Sequence, residues 1–146
     1  MKLTIELVPS SCWYSNLRNR VAPPVWDNIR KQSYKDAGYR CAVCGATEKL
    51  FCHEIWQYDD DRHIQSLVGF IALCEKCHMV KHIGYAGIRA MDGELDYDAL
   101  IEHFLKVNGC SKEEFEAHIS SAFEVWGERS ECKWVCDLGK YQSFIR

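Results

Sequence analysis

Two cysteine pairs constrain this chain more than any other feature of its sequence. Cys41 and Cys44 form the first pair, and Cys74 and Cys77 form the second, each with two intervening residues. Four thiolates at this spacing have the number and arrangement that close a tetrahedral zinc shell. The spacing therefore predicts a small lobe that is held together by a structural Zn²⁺ ion.

The cysteine content as a whole favours metal binding over disulfide bonds. The chain has 146 residues and nine cysteines. A secreted disulfide scaffold is the alternative, but an odd count with two C-x-x-C pairs is more typical of reduced thiols. The first residues alternate like a strand and lack the apolar stretch of a signal peptide. No apolar run approaches the roughly 20 residues of a membrane span, so we expect a cytoplasmic protein without membrane association.

Three histidines remain on the same frame once the cysteines are assigned to zinc. His53 precedes Glu54 in a predicted strand, whereas His78 and His82 follow the second cysteine pair on a predicted helix over residues 74–83. Residues four apart lie on one face of a helix. Three imidazoles in one place predict a second metal site. In the alternative interpretation, His78 only ends a zinc knuckle and His82 complements the helix dipole.

The remaining patterns predict an α+β fold in three parts. Residues 1–37 contain a strand over 3–8, a loop and a helix that begins at Pro23 and ends near Gly38. Residues 38–91 form the zinc-binding lobe, with strands over 50–56 and 64–73 and a helix that ends at Gly84. Residues 92–146 form a C-terminal helical extension, with one helix capped by Asp92 or Asp96 and a second between Ser111 and Gly127. We expect this helical pair to pack with the N-terminal helix in one core.

A basic stretch over residues 18–40 is the main departure from an even charge distribution. The formal net charge is −3, yet this stretch carries six basic side chains against two acidic ones. The basic residues are Arg18, Arg20, Arg30, Lys31, Lys35 and Arg40. Such a patch can contact nucleic-acid phosphates, and a solvated helix face is the alternative. The acidic run over residues 59–61 can bind magnesium or can simply be solvated.

These residues together resemble the zinc-stapled branch of the HNH endonucleases, which have the ββα-metal fold. The resemblance covers about residues 38–84 and is carried by Cys41-x-x-Cys44, Cys52-His53-Glu54-Ile55 and Leu73-Cys74-x-x-Cys77-His78-x-x-Lys81-His82. It implies metal-dependent hydrolysis of phosphodiester bonds, with double-stranded DNA as the expected substrate. It also implies that His53, His78 and His82 hold a catalytic Mg²⁺, Mn²⁺, Ni²⁺ or Zn²⁺ ion, with His53 and Glu54 as the catalytic residues. The nucleic-acid contacts are expected at Arg30, Lys31, Lys35, Arg40 and Lys81.

Two positions depart from the family pattern. Glu54 stands where the family has its general-base histidine, and Gln65-Ser66-Leu67 lies near the position of the family's asparagine. An exposed glutamate, with a pKa of about 4.3, is a weak base, but burial can raise that pKa. Glu54 is therefore a general base or a fourth metal ligand, and His63 can assist from the loop or lie at the surface.

A second hypothesis follows from these departures. The chain can be a nuclease-derived zinc module that binds nucleic acid or a protein partner without cleavage. The binding surface would be the 18–40 stretch or the acidic C-terminal helices. Both hypotheses are compatible with a homodimer, and the sequence does not separate DNA from RNA as the ligand.

Overall fold

The structure is a computed structural model that describes residues 1–13 and 15–145, and it confirms the α+β class. The helices are α1 (Pro23–Asp36), α2 (Glu75–Lys81), α3 (Ile83–Met91), α4 (Tyr97–Asn108) and α5 (Lys112–Ser130). The strands are β1 (Leu50–Asp59), β2 (Ile64–Cys74) and β3 (Val135–Asp137). Short 3-10 turns occupy Ser10–Cys12, Leu17–Asn19 and Gly139–Phe144. Among the described residues, no helix combines the length and apolar character that a membrane crossing needs.

A long hairpin forms the centre of the three-stranded sheet. β1 and β2 pair antiparallel from Leu50 opposite Cys74 to Asp59 opposite Ile64, with a register shift after Ile55. β3 joins the outer edge of β2 in parallel. The second strand passes into α2 without an intervening loop, so the hairpin and this helix form one continuous hairpin–helix frame.

The hairpin separates two hydrophobic clusters. One cluster contains α1 with Trp26 and includes Cys52 and Phe70 from the strands. The other contains α2 to α5, with Phe104 at its centre, and includes Ile71. Because successive strand residues point to opposite faces, Phe70 and Ile71 belong to different clusters. The expectation of one core that joins α1 to the C-terminal helices is therefore wrong.

The N-terminal segment does not form the strand that was predicted over residues 3–8. Its backbone is bound by side chains of two helices instead. Asn108 of α4 accepts the Leu3 N–H at 2.9 Å and donates to the Leu3 carbonyl at 2.8 Å. His118 of α5 accepts the Ile5 N–H at 2.9 Å. These side chains supply the hydrogen bonds that a neighbouring strand would have provided, while Leu3 and Ile5 are buried in the core.

Acidification is expected to weaken this docking of the N-terminal segment. Nε2 of His118 must be unprotonated to accept the Ile5 N–H, and burial, together with the nearby Lys81 ammonium and N-terminus, lowers the pKa of His118. Because the folded pKa lies below the unfolded value of about 6.5, the stabilisation is complete above that pH. It is lost as the pH falls through the folded pKa. A histidine that stays neutral in the folded protein changes the free energy of unfolding by at most about 1.4 kcal/mol per pH unit. The His118 ring is only partly buried, so its contribution should be smaller.

Denaturant unfolding of the wild type and of His118→Gln at about pH 7 and about pH 5 isolates this contribution, because the other histidines with lowered pKa values are present in both proteins. His118→Gln keeps a side-chain carbonyl that accepts the same N–H at either pH, so its free energy of unfolding should depend less on pH. An equal pH dependence in the two proteins would contradict the assigned hydrogen bond.

Two helices do not end at the glycines that were predicted to end them, because tertiary packing outweighs the low helix propensity of glycine. The helix predicted to end at Gly84 already ends at Lys81, because His82 leaves the helical conformation with φ −105° and ψ 45°. A further helix, α3, then begins at Ile83 and contains Gly84. Likewise, α5 continues past Gly127 to Ser130. A helical glycine costs only about 1 kcal/mol, and burial of Ile83 in the core outweighs that cost.

Candidate metal centre

The four cysteines of the two pairs form one compact group. Their sulfur atoms all lie within 4.8 Å of one another, and Cys44 Sγ is 3.6 Å from Cys74 Sγ. Zinc–sulfur bonds of about 2.3 Å in a tetrahedron place sulfurs roughly 3.8 Å apart. All the cysteines are free thiols. The group has the donor atoms and the spacing to hold a zinc ion.

Two backbone turns aim their N–H groups at these sulfurs. The Cys44 N–H donates to Cys41 Sγ, and the Cys77 N–H donates to Cys74 Sγ, each at 3.5 Å. The first turn depends on Gly45, whose φ of 77° lies in the left-handed region that glycine adopts without strain. Cys74 is the N-cap of α2, so the second pair is fixed by the start of a helix.

The thiol pKa values differ among the four cysteines, and they show what a bound cation would have to offset. Burial would raise the pKa of Cys41, but backbone N–H groups that bond its sulfur outweigh burial and lower the pKa to about 7. Burial raises the pKa of Cys74 to about 11. Burial and the charges of Cys41 and Cys74 raise the pKa of Cys77. Four thiolates therefore repel one another at this distance, and a Zn²⁺ ion would remove that penalty.

Three histidines form a second group on the same hairpin–helix frame. His53 lies on β1, His78 on α2, and His82 at the C-terminal end of α2. One ring nitrogen from each lies within 4.8 Å of the others, and the Nε2 atoms of His78 and His82 are 3.1 Å apart. Two nitrogens bound at about 2.1 Å to one metal lie roughly 3.0–3.4 Å apart. The nitrogen positions fit a single ion.

These imidazoles are neutral near pH 7. Burial lowers the pKa of His53 to about 2, with smaller contributions from the neighbouring histidines. Burial and His82 lower the pKa of His78 to about 4, and burial and Lys81 lower the pKa of His82. A metal binds the neutral imidazole, so protons do not compete for this site at neutral pH.

Two residues beside the histidines were missed in the sequence. The Phe51 ring stacks on His78 with centroids 5.4 Å apart, and Lys49 Nζ lies 5.3 Å above the Phe51 ring. Phe51 is two residues before His53 on β1, so both side chains point to the same face. The period of two along the predicted strand could have identified Phe51. The exposed Lys49 places a cation over the Phe51 ring, whose other neighbour is His78.

Glu54 does not belong to the histidine group. It follows His53 on β1, so its side chain points to the opposite face of the hairpin. There Glu54 Oε2 accepts the Leu17 N–H at 3.3 Å. Burial raises the pKa of Glu54 to about 7, and the hydrogen bond from Leu17 opposes that rise. The carboxyl binds the N-terminal region and lies outside the group of three imidazoles. The role of Glu54 as a general base or fourth metal ligand stays a prediction.

The predicted phosphate contacts are dispersed over the structure. Lys81 is buried, and its Nζ donates to Thr4 Oγ1 at 2.9 Å and lies 3.9 Å from the Glu6 carboxylate. Arg30 pairs with Asp27 at 2.9 Å. Lys31, Lys35 and Arg40 are exposed. Because α1 covers the face that carries Cys52 and Phe70, its basic residues are separated from His53 by the hairpin.

The other sequence candidates have structural partners or lie apart from the histidines. Asp59 Oδ1 accepts the backbone N–H groups of residues 61 and 62 in the hairpin turn, and Asp60 pairs with Arg129 at 2.9 Å. The His63 ring packs edge-on against Trp134 at 5.3 Å. Gln65, near the family's asparagine position, is fully buried, and its side-chain amide has no hydrogen-bond partner among the described residues. None of these residues contributes to the three-histidine group.

Comparisons with protein-family models, with curated protein sequences and with solved structures find no match to this chain. The resemblance to HNH endonucleases therefore stays a prediction that is drawn from the cysteine and histidine motif. The functional inference rests on the geometry of the two groups.

Proposed function

We propose that the protein is a metal-dependent endonuclease of the HNH type that hydrolyses phosphodiester bonds, with DNA as the proposed substrate. One observation carries the proposal: three neutral imidazoles lie within 4.8 Å of one another beside a group of four cysteines. The succession of β1, β2 and α2 is compatible with a ββα-metal core. A structural zinc ion held by the four cysteines does not require the second group.

The ligand set suits hydrolysis of a phosphodiester. A divalent ion held by His53, His78 and His82 would polarise the scissile phosphate and neutralise the charge that develops on it. Three protein ligands leave open positions, as catalytic metal sites require. Imidazole ligands suit Ni²⁺ or Zn²⁺ better than Mg²⁺ or Mn²⁺, which prefer oxygen ligands, so we expect Ni²⁺ or Zn²⁺ to give the higher activity.

The face of the hairpin around His53 is the proposed nucleic-acid surface. Ile55 and Gln57 follow His53 at alternate positions of β1 and are exposed, and Val68 of β2 is exposed beside them. Lys49 offers an ammonium group to a phosphate at the edge of this face. We therefore assign phosphate binding to Lys49 ahead of the basic residues of α1.

Glu54→Gln is expected to reduce cleavage by less than about tenfold, well below the 10²- to 10⁴-fold that a general base contributes. The glutamine carbonyl can still accept the Leu17 N–H, and the side chain remains on the face opposite His53. The cleavage rate and the metal content of both proteins are to be measured together. A loss of 10²-fold or more at unchanged metal content would instead identify Glu54 as the base.

Glu54→Ala serves as the structural control for this prediction. It removes the acceptor of the Leu17 N–H, so it should lower the free energy of unfolding by about 1–3 kcal/mol. A structural role thus predicts a larger effect of alanine than of glutamine on stability.

A second candidate function is a zinc module that binds nucleic acid or a protein partner without cleaving. Glu54 stands at the sequence position of the family's base histidine, but its carboxyl binds Leu17 and points away from the three histidines. No base at that position faces the metal group, which favours this alternative. The exposed Lys31, Lys35 and Arg40 would then form the binding surface.

A plasmid assay separates the two functions. The full chain is incubated with supercoiled plasmid and Mg²⁺, Mn²⁺, Ni²⁺ or Zn²⁺ in turn, with single-stranded DNA and RNA as parallel substrates. We expect metal-dependent conversion to nicked or linear plasmid. Absence of cleavage with every metal and substrate would overturn the proposal and leave the binding module.

A further inference from the structure

One side chain outside the hairpin–helix frame touches the four-cysteine group. His103 of α4 places its Nε2 atom 3.1 Å from Cys77 Sγ. Its neighbour Phe104 is fully buried, and Leu100, one turn before Phe104, is buried as well. These core contacts fix α4 against α2 and so fix the position of the His103 ring beside the sulfur.

The chemistry of the contact determines the direction of its hydrogen bond. A cysteine sulfur that binds zinc is a thiolate and carries no proton to donate. The Nε2 atom must then carry the proton, and the neutral imidazole can donate it to the sulfur. The backbone donors of the two turns reach Cys41 and Cys74, whereas Cys77 receives its donor from a side chain.

We propose that His103 is a hydrogen-bond donor to the zinc-bound Cys77 thiolate, which strengthens zinc binding and attaches α4 to the metal lobe. A zinc ion with four thiolates carries a net charge of −2, so each N–H donor at a sulfur stabilises the bound state. This role does not depend on nuclease activity, because it concerns the cysteine group alone.

Direct coordination of zinc by His103 is the competing interpretation. A nitrogen and a sulfur that share a tetrahedral zinc ion lie about 3.6 Å apart, whereas Nε2 and Cys77 Sγ are separated by 3.1 Å. The four sulfurs already form a complete group without the imidazole. Both observations favour a hydrogen bond to the ligand over a bond to the metal.

Zinc affinity tests the proposal through a pair of variants. His103→Phe removes the donor, and His103→Gln retains an N–H donor on a side chain of similar length. Competition with a chromogenic chelator should show zinc binding weakened by about 10- to 100-fold in His103→Phe, and less in His103→Gln. His63→Asn is the matched control, because asparagine tolerates the positive φ of 56° at this position. Wild-type zinc affinity in His103→Phe would overturn the proposal.

A spectroscopic measurement on the wild-type protein tests the same hydrogen bond without any substitution, so it holds even where a variant fails to fold. After replacement of zinc by ¹¹³Cd, NMR should show scalar coupling between the metal and the His103 Hε2 proton, transmitted through Cys77 Sγ. The cadmium chemical shift should be that of four sulfur ligands. Absence of the coupling, or a shift typical of three sulfurs and one nitrogen, would overturn the proposal.

Discussion

Cys74→Ser is expected to lose zinc and to unfold the hairpin–helix lobe. Cys74 ends β2, caps α2 and lies 3.6 Å from Cys44 Sγ. Serine can still cap the helix, so the substitution acts through the lost thiolate of the metal group. Structural zinc contributes about 10–16 kcal/mol in small zinc domains, which matches or exceeds the about 5–15 kcal/mol that stabilises a whole domain. We expect a loss of at least about 5 kcal/mol, or a fall in Tm of at least about 10 °C.

Thermal denaturation followed by circular dichroism, together with elemental analysis for zinc, measures both effects. Cys132→Ser is the matched control, since Cys132 is half-buried but lies outside the four-cysteine group. The control should keep its zinc and a Tm close to that of the wild type. A Cys74→Ser protein with full zinc content and an unchanged Tm would show that this group is not a structural metal site.

His53→Ala is expected to reduce metal-dependent cleavage by about 10³-fold or more, which corresponds to about 4 kcal/mol of the activation barrier. The substitution removes the proposed strand ligand, and two imidazoles would not hold an ion in a fixed position. His53 is only half-buried, so the fold should survive the change. The measurement is kcat/KM on plasmid with the most active metal ion.

The His53→Ala protein should still bind the zinc ion proposed for the four cysteines. Its zinc content therefore shows whether a loss of activity comes from a loss of folding. His63→Asn changes a histidine that packs on Trp134, away from the three-histidine group, and should cleave as the wild type does. If His53→Ala cleaves at the wild-type rate, the histidine group is not the catalytic site.

Local signals in the sequence predicted the elements that depend on local interactions. α1 begins at the proline pair and ends just before Gly38, as the turn chemistry of those residues requires. α4 is capped by Asp96, which accepts the Ala99 N–H at 3.2 Å, and ends at Gly109 with φ 60°. Each of these contacts spans only a few residues, so the sequence pattern contains them.

Elements that depend on distant contacts were not predicted. The N-terminal segment looks like a strand because its apolar residues alternate, yet Asn108 and His118 bind its backbone in place of a strand. β3 has only three residues, too few for a period to be recognised, and exists because it pairs with the edge of β2. Tertiary packing decides both cases.

The candidate site shows the same division. The spacing of His78 and His82 places both on one side of α2, and the hairpin register brings His53 to them by pairing it with Ile71. The Glu54 side chain points away from that of His53 because neighbouring strand residues alternate between faces. The prediction that Glu54 acts beside His53 followed the family resemblance and did not use this alternation. His103 was not predictable, because only the packing of α4 on α2 brings it to Cys77.

The number of metal ions bound per chain tests the central claim most directly, because the claim is that one frame carries two separate metal groups. Elemental analysis of the protein purified with excess divalent metal should give two ions per chain. The double variant His78→Ala and His82→Ala should give one ion, which the four cysteines retain. One ion in both proteins would contradict the claim and leave a zinc-stapled module without a catalytic metal.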